Sequence, residues 1–175
     1  MKKILALLVG LLMIANISFA MTGVIDYQSI KGVKCGISID ELVKLMGEPV
    51  EVKPNPYNRT IGTLIYPGGI IVGYKNNVKA QAVYVSEVRV QNNPQIPLQP
   101  SGITNGMTRA EVISRIGEPD ATHFAYEGNV YCEWMMYKSP KFTNFANLKG
   151  VNDLTVYVNH DTNRVVILRL NGNFY

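Results

Sequence analysis

The sequence predicts an α+β fold in two tandem units, each a short helical layer followed by an antiparallel β-meander whose sheet packs on it. Three observations predict it. A motif at 36–49 recurs at 106–119, β-rich runs separated by turn signals follow each copy, and an apolar leader stands apart from both.

The leader comes first in the chain. Lys2 and Lys3 precede an almost unbroken apolar run from Ile4 to Ile17, and Ser18 and Ala20 put small residues at the −3 and −1 positions of a cleavage site. Residues 1–20 are therefore expected to be a secretory signal peptide cut near Ala20, because the run is short for a membrane span; an uncleaved anchor helix is the other reading. No Cys marks the cleavage point, which argues against lipoprotein processing, and no later stretch is long and apolar enough to span a bilayer. The expected location is periplasmic or extracellular.

The first unit is expected over residues 21–90. Within it, Ser38 is a good N-cap with Glu41 three residues on, a capping box. Ile39, Leu42, Val43 and Met46 keep helical spacing on one face, and Gly47 followed by Pro49 ends the helix. Strand-like runs follow at 60–66 and 70–75, separated by Pro67-Gly68-Gly69, and a long one at 80–90 after the Asn76-Asn77 turn. Residues 91–100 carry three prolines and are expected to be a linker.

The second unit, 101–175, repeats the plan 70 positions later without a gap. Thr108 and Glu111 form the box, Val112, Ile113 and Ile116 the stripe, and Gly117 with Pro119 the stop. Strands are expected at 129–137, 154–159 and 164–170, the last two flanking a turn at 160–163, with an insertion-like loop at 138–153 that contains Phe142 and Phe145.

Composition narrows function. The 175 residues carry 17 Lys+Arg and 13 Asp+Glu, and loss of the leader takes two lysines, leaving a net charge near +2 with no basic cluster. That excludes the usual electrostatic footprint of a nucleic-acid binder. Cys35 and Cys132 form an even pair in an exported chain, so a disulfide is chemically permitted; two separately buried thiols are the alternative. Neither has zinc-ligand spacing, and no P-loop, dinucleotide fingerprint, HExxH or GxSxG is present. His123, Cys132 and Glu133 are the one conceivable thiol–imidazole site. With His123 taken as a solvated loop residue and Cys132 as structural, no enzyme, metal or cofactor is expected.

Ten Tyr, five Phe and one Trp are the more informative feature. Strand alternation puts Val130, Cys132, Trp134 and Met136 on one face and Tyr131, Glu133, Met135 and Tyr137 on the other. Glu133 marks its own face as the open one, away from the helices. By the same alternation, Leu154, Val156 and Val158, with Val166, Leu168 and Leu170, point to the core, while Tyr157, Ile167 and Arg169 point outward with Val165. Tyr66, Tyr74 and Tyr84 extend that surface into the first unit. Tyr131, Met135, Tyr137, Tyr157, Ile167, Arg169, Tyr66, Tyr74 and Tyr84 are thus the candidate protein-binding residues, of the types enriched at interface cores; cross-strand pairing that stabilises the sheet is the alternative.

The motif Gly-Met-Thr-Arg-Ala-Glu-Val-Ile-Ser-Arg-Ile-Gly-Glu-Pro at 106–119 resembles the signature of the SmpA/OmlA and β-lactamase-inhibitor-protein (BLIP-like) superfamily. Two copies in one chain resemble the tandem inhibitor proteins more than the single-unit lipoproteins. The resemblance implies helices packed on an antiparallel sheet whose other face binds protein. It implies a disulfide inside each repeat of the inhibitors, where this chain has one Cys per repeat. The expected function is a secreted or periplasmic, non-enzymatic protein-binding module, with inhibition of an exported enzyme as its concrete form. The alternative is a cell-envelope assembly or structural component related to SmpA/OmlA but not lipidated. The partner expected is another protein, with no nucleic acid and no transmembrane segment in the mature chain.

Overall fold

A computed structural model describes residues 28–58, 60–77, 82–138 and 152–172; the expected signal peptide and most of the 138–153 loop lie outside these residues. The first half runs β1 (Ser29–Ile30), α1 (Ile39–Met46), β2 (Glu51–Pro54), β3 (Ile61–Tyr66), β4 (Ile70–Asn77) and β5 (Ala82–Gln91). The second runs β6 (Leu98–Gln99), α2 (Arg109–Ile116), β7 (Ala121–Glu127), β8 (Val130–Tyr137), β9 (Asn152–Asn159) and β10 (Arg164–Gly172).

The helices form for the reasons their sequence gives. The Thr108 hydroxyl accepts from Glu111 N–H at 3.3 Å, while the Glu111 carboxylate accepts from Thr108 N–H at 2.7 Å and from its hydroxyl at 2.8 Å. These bonds hold the Glu111 carboxyl below its ordinary pKa, the backbone bond contributing most. Ser38 makes the hydroxyl half of the same cap, accepting from Glu41 N–H at 3.1 Å. Gly47 and Gly117 stand at φ +78° and +86°, where an L side chain is strained, and each returns its N–H to the last turn at 2.8 Å. Leu42 and Val112 are fully buried at the centres of the two apolar stripes.

Eight of the strands, however, make one sheet. Its order is β2-β3-β4-β5-β10-β9-β8-β7, every neighbour antiparallel, and β5 and β10 join the halves through pairs such as Val90 with Leu168 and Val88 with Leu170. The expected α+β fold with two helical layers is therefore corrected: strands hold 52% of the described residues and helices 13%, so the chain is mainly β. The physical reason is one of span. Eight strands at about 4.8 Å spacing cover roughly 38 Å. An eight-residue helix is only about 12 Å long, too short to form a layer over half of that sheet. The short β1–β6 ribbon and its loops seal the rest, burying Ile30, Val33, Leu98 and Ile103. Residues 91–100 connect the halves while burying Ile96 and Leu98 in that seal.

The main core lies between the helix side of the sheet and this layer. A second, smaller cluster of Cys132, Tyr157 and Ile167, with Trp134 and Val166 against it, lies on the other side. Both faces of the second half are thus packed.

Candidate interaction surface

The sheet's two faces sort the nine candidate residues differently from strand alternation read with Glu133 as a solvent marker. Glu133 faces the helices. Arg109, the first residue of α2, places its Nε 3.0 and 3.1 Å from the two Glu133 carboxylate oxygens, and the Glu133 side chain is only 13% exposed. A charge can face a core when a partner from the covering helix neutralises it. Met135 and Tyr137 follow Glu133 to that side and are buried in the main core, where the Tyr137 hydroxyl donates to Gly117 C=O at 3.1 Å and burial pushes its pKa up. Tyr66 is also buried there, and Tyr74 packs against that core over Gly62, where any Cβ would overlap the Tyr74 ring. Tyr84 is half-buried beside Ser38, with which its backbone forms an isolated bridge.

Tyr157, Ile167 and Arg169 lie on the outer face as expected, but that face is not open. Arg169 bonds the Tyr157 hydroxyl at 3.0 Å and Glu87 at 2.7 Å, and Arg89, its register partner on β5, meets Glu127 at 2.8 Å. Three strands separate β5 from β7 in the sheet, a distance of roughly 19 Å if it were flat. The Arg89–Glu127 contact therefore requires the sheet to curl, concave outward, over Tyr157 and Ile167, which are 1% and 3% exposed. An irregularity between Val165 and Ile167 re-phases β10, so that Val165 enters the main core and Val166 joins the outer cluster, the reverse of their expected sides.

The permitted disulfide is not formed. Cys35 belongs to the helix-side core and Cys132 to the outer cluster, and both are free, buried thiols. Burial pushes the Cys35 pKa up to about 12 and raises that of Cys132. The conceivable thiol–imidazole set is not assembled either: His123 sits edge-on to Trp134 on the outer side, with ring centroids 5.7 Å apart, while Glu133 faces the other way.

Tyr131 alone of the nine is exposed. It belongs to a cluster that sequence reasoning missed, because the strand that supplies it was not expected. β7 places Tyr126 directly opposite Tyr131 and Phe124 opposite Glu133. The Tyr131 ring centroid lies 5.1 Å from Tyr126, 6.3 Å from Phe124 and 5.4 Å from His160. Tyr126 is 70% exposed, Phe124 48% and Tyr131 38%. The signal was present as the alternation Thr122-x-Phe124-x-Tyr126, immediately after the helix stop. Chemically this rim offers flat, half-wetted aromatic area with little rotamer entropy to lose, which suits contact with another macromolecule. Among the described residues, no group of three or more His, Cys, Asp or Glu is placed to hold a metal ion, and no helix is long and apolar enough to cross a membrane.

No family model matches the chain, and no curated protein matches it. Among solved structures it is similar to an extracellular protein containing a SCP domain from Bacillus anthracis str. Ames, with TM-score 0.50 and 14% identity over 79% of this chain and 44% of that one. It is similar also to a cysteine-rich secretory protein from Staphylococcus aureus subsp. aureus Mu50, with TM-score 0.51 and 15% identity over 83% of this chain and 47% of that one. A DUF4309 family protein (YjgB) from Bacillus subtilis subsp. subtilis str. 168 gives TM-score 0.45 and 13% identity over 78% of each chain. The chain spans about half the length of the first two, and the likeness is one of fold.

Proposed function

We propose that this chain is an exported, non-enzymatic protein-binding module that engages its partner through the aromatic rim of β7 and β8. The observation that carries the reading is the exposed cluster of Phe124, Tyr126 and Tyr131 beside His160. Apolar aromatic area left in water at one place costs free energy that a partner recovers by covering it. Export is supported by the basic, apolar and small-residue order of residues 1–20 and by the extracellular and secretory character of the two similar structures. The helix motif's resemblance to BLIP-like proteins supports a binding role, and inhibition of an exported enzyme is its concrete form.

The test is affinity capture from the host's culture fluid and envelope fraction, using the exported protein and a Tyr126→Ala/Tyr131→Ala variant with an unchanged circular dichroism spectrum. A soluble protein held by the wild type and lost by the variant supports the reading, and loss of that protein's activity on binding supports inhibition. Capture only of membrane material, released by detergent, moves the function to envelope assembly. Equal capture by both baits overturns the rim as the contact surface.

A further inference from the structure

We infer that the free edge of β7 pairs antiparallel with β7 of a second copy of this chain, about a dyad at Phe124. This rests on the aromatic rim being a contact surface, and it names one occupant of it.

The backbone states which groups are available. His160 N–H donates to Tyr131 C=O at 3.0 Å, so Tyr131 directs its main-chain groups toward β9. Alternation then turns Cys132 and Trp134 toward β7, where they meet Ala125 and His123. Thr122, Phe124 and Tyr126 consequently direct their N–H and C=O groups away from the sheet, and β7 is its last strand among the described residues. Each carries one donor and one acceptor for a further strand.

The two sheet edges differ. β2 at the far edge is four residues long, carries Pro54, and has Lys53 and Glu51 paired at 3.2 Å, features that blunt an edge against pairing. β7 has seven residues, Ala-Thr-His-Phe-Ala-Tyr-Glu, with no proline or lysine. Its one carboxylate is held by Arg89 on the outer face.

The β7 sequence complements itself. With Phe124 on the dyad, Thr122 faces Tyr126 of the second copy, His123 faces Ala125, Ala121 faces Glu127, and Asp120 faces Gly128. No like charges meet, and every outward-directed residue opposes another, which gives about six backbone hydrogen bonds. On the helix side, the Phe124, Tyr126 and Tyr131 clusters of the two copies become one continuous aromatic surface. Pairing covers only the flanks of Phe124 and Tyr126 nearest the dyad, and their exposures of 48% and 70% set a ceiling of roughly 240 Å² per copy, at about 200 Å² per ring. With the strand edge added, the interface stays below the standard size of specific ones, which predicts a weak, reversible dimer.

The test is sedimentation equilibrium of the protein purified after export. The mass should rise from that of one chain near about 1 μM toward twice that near about 500 μM. Phe124→Lys, which puts two ammonium groups on the dyad, should weaken association at least about tenfold. Phe124→Cys should form an intermolecular disulfide with oxidised glutathione, which takes up the two electrons and two protons released. Thr122→Cys should not, because its copy lies four residues along the strand. The mass of a single chain at every concentration overturns the inference. So does a dimer indifferent to Phe124→Lys, or one that cross-links equally through Thr122→Cys. A monomer whose partner capture is nevertheless lost in Phe124→Lys gives the edge to a foreign strand, overturning self-pairing while the rim remains the contact surface.

Discussion

Removing Arg109 tests the assignment of faces more sharply than any core truncation. In Arg109→Ala, the Glu133 side chain, 13% exposed in the wild type, loses both contacts at 3.0 and 3.1 Å. Hydrogen bonds to charged groups are worth about 1.5–3 kcal/mol, and breaking a fully buried pair costs about 3–5 kcal/mol. Arg109 is itself 34% exposed, so the lower range applies and the expected loss is about 2 kcal/mol. Its second acidic neighbour, Glu118, is 3.7 Å away and 70% exposed, and adds little. The assay is urea unfolding of wild type, Arg109→Ala, Glu133→Gln and the double variant, each extrapolated to water. The expected coupling is about 1–2 kcal/mol, and it should survive a rise in salt because the carboxylate is mostly covered. A coupling below about 0.3 kcal/mol, within the ordinary scatter of independent sites, would falsify the placement of Glu133 on the helix side.

Three other predictions follow from the same geometry. Thr108→Ala should lower stability by about 1 kcal/mol in the same unfolding assay, with Thr108→Ser restoring most of it, because the hydroxyl caps α2; an unchanged midpoint for Thr108→Ala counts against the cap. Glu111 has its folded pKa lowered by the Thr108 bonds, so its contribution is present above the ordinary carboxylate range and fades as pH falls through the lowered value. The stability-against-pH curve of Glu111→Gln should accordingly be flatter on its acid limb, and parallel curves contradict this. Cys35 and Cys132, buried and with raised pKa values, should resist a thiol reagent at pH 7–8 in the native protein and react fully in denaturant; rapid native labelling of either refutes its burial.

Much of the local structure was legible. Both helices begin at the expected caps and end at the expected glycines, because each cap is a contact within a few residues of sequence. The strands carrying Leu64, Val72, Val88, Trp134, Val156 and Leu168 lie where β-rich runs bounded by turns place them. β2 was missed because Glu51, Lys53 and Pro54 are poor strand formers, and its place is set by register with β3. β7 was missed although Phe124 and Tyr126 alternate, because polar Thr122 and His123 begin it. The faces were misread at Glu133, since its partner Arg109 lies 24 positions earlier on another element. Nor could alternation foresee the curl that closes Arg89 on Glu127, or the irregularity that exchanges Val165 and Val166. Contacts of that kind join positions far apart in the chain, which a periodic pattern does not encode. The candidate surface suffered most: one of nine expected residues, Tyr131, stands on the exposed rim, and the strand that completes the rim was absent from the expectation.

Amide hydrogen exchange across β7 is the most direct test of the rim as the binding surface. In the free, dilute protein, the outward N–H groups of Thr122, Phe124 and Tyr126 should exchange quickly while those of Ala125 and His123, turned toward β8, are protected. Adding a captured partner, or raising the protein's own concentration, should slow exchange at Thr122, Phe124 and Tyr126 at least about tenfold and leave the strands around Arg169 and Glu87 unchanged. Protection that arises on β5 and β10 instead, with β7 unaltered by any partner, would contradict the account.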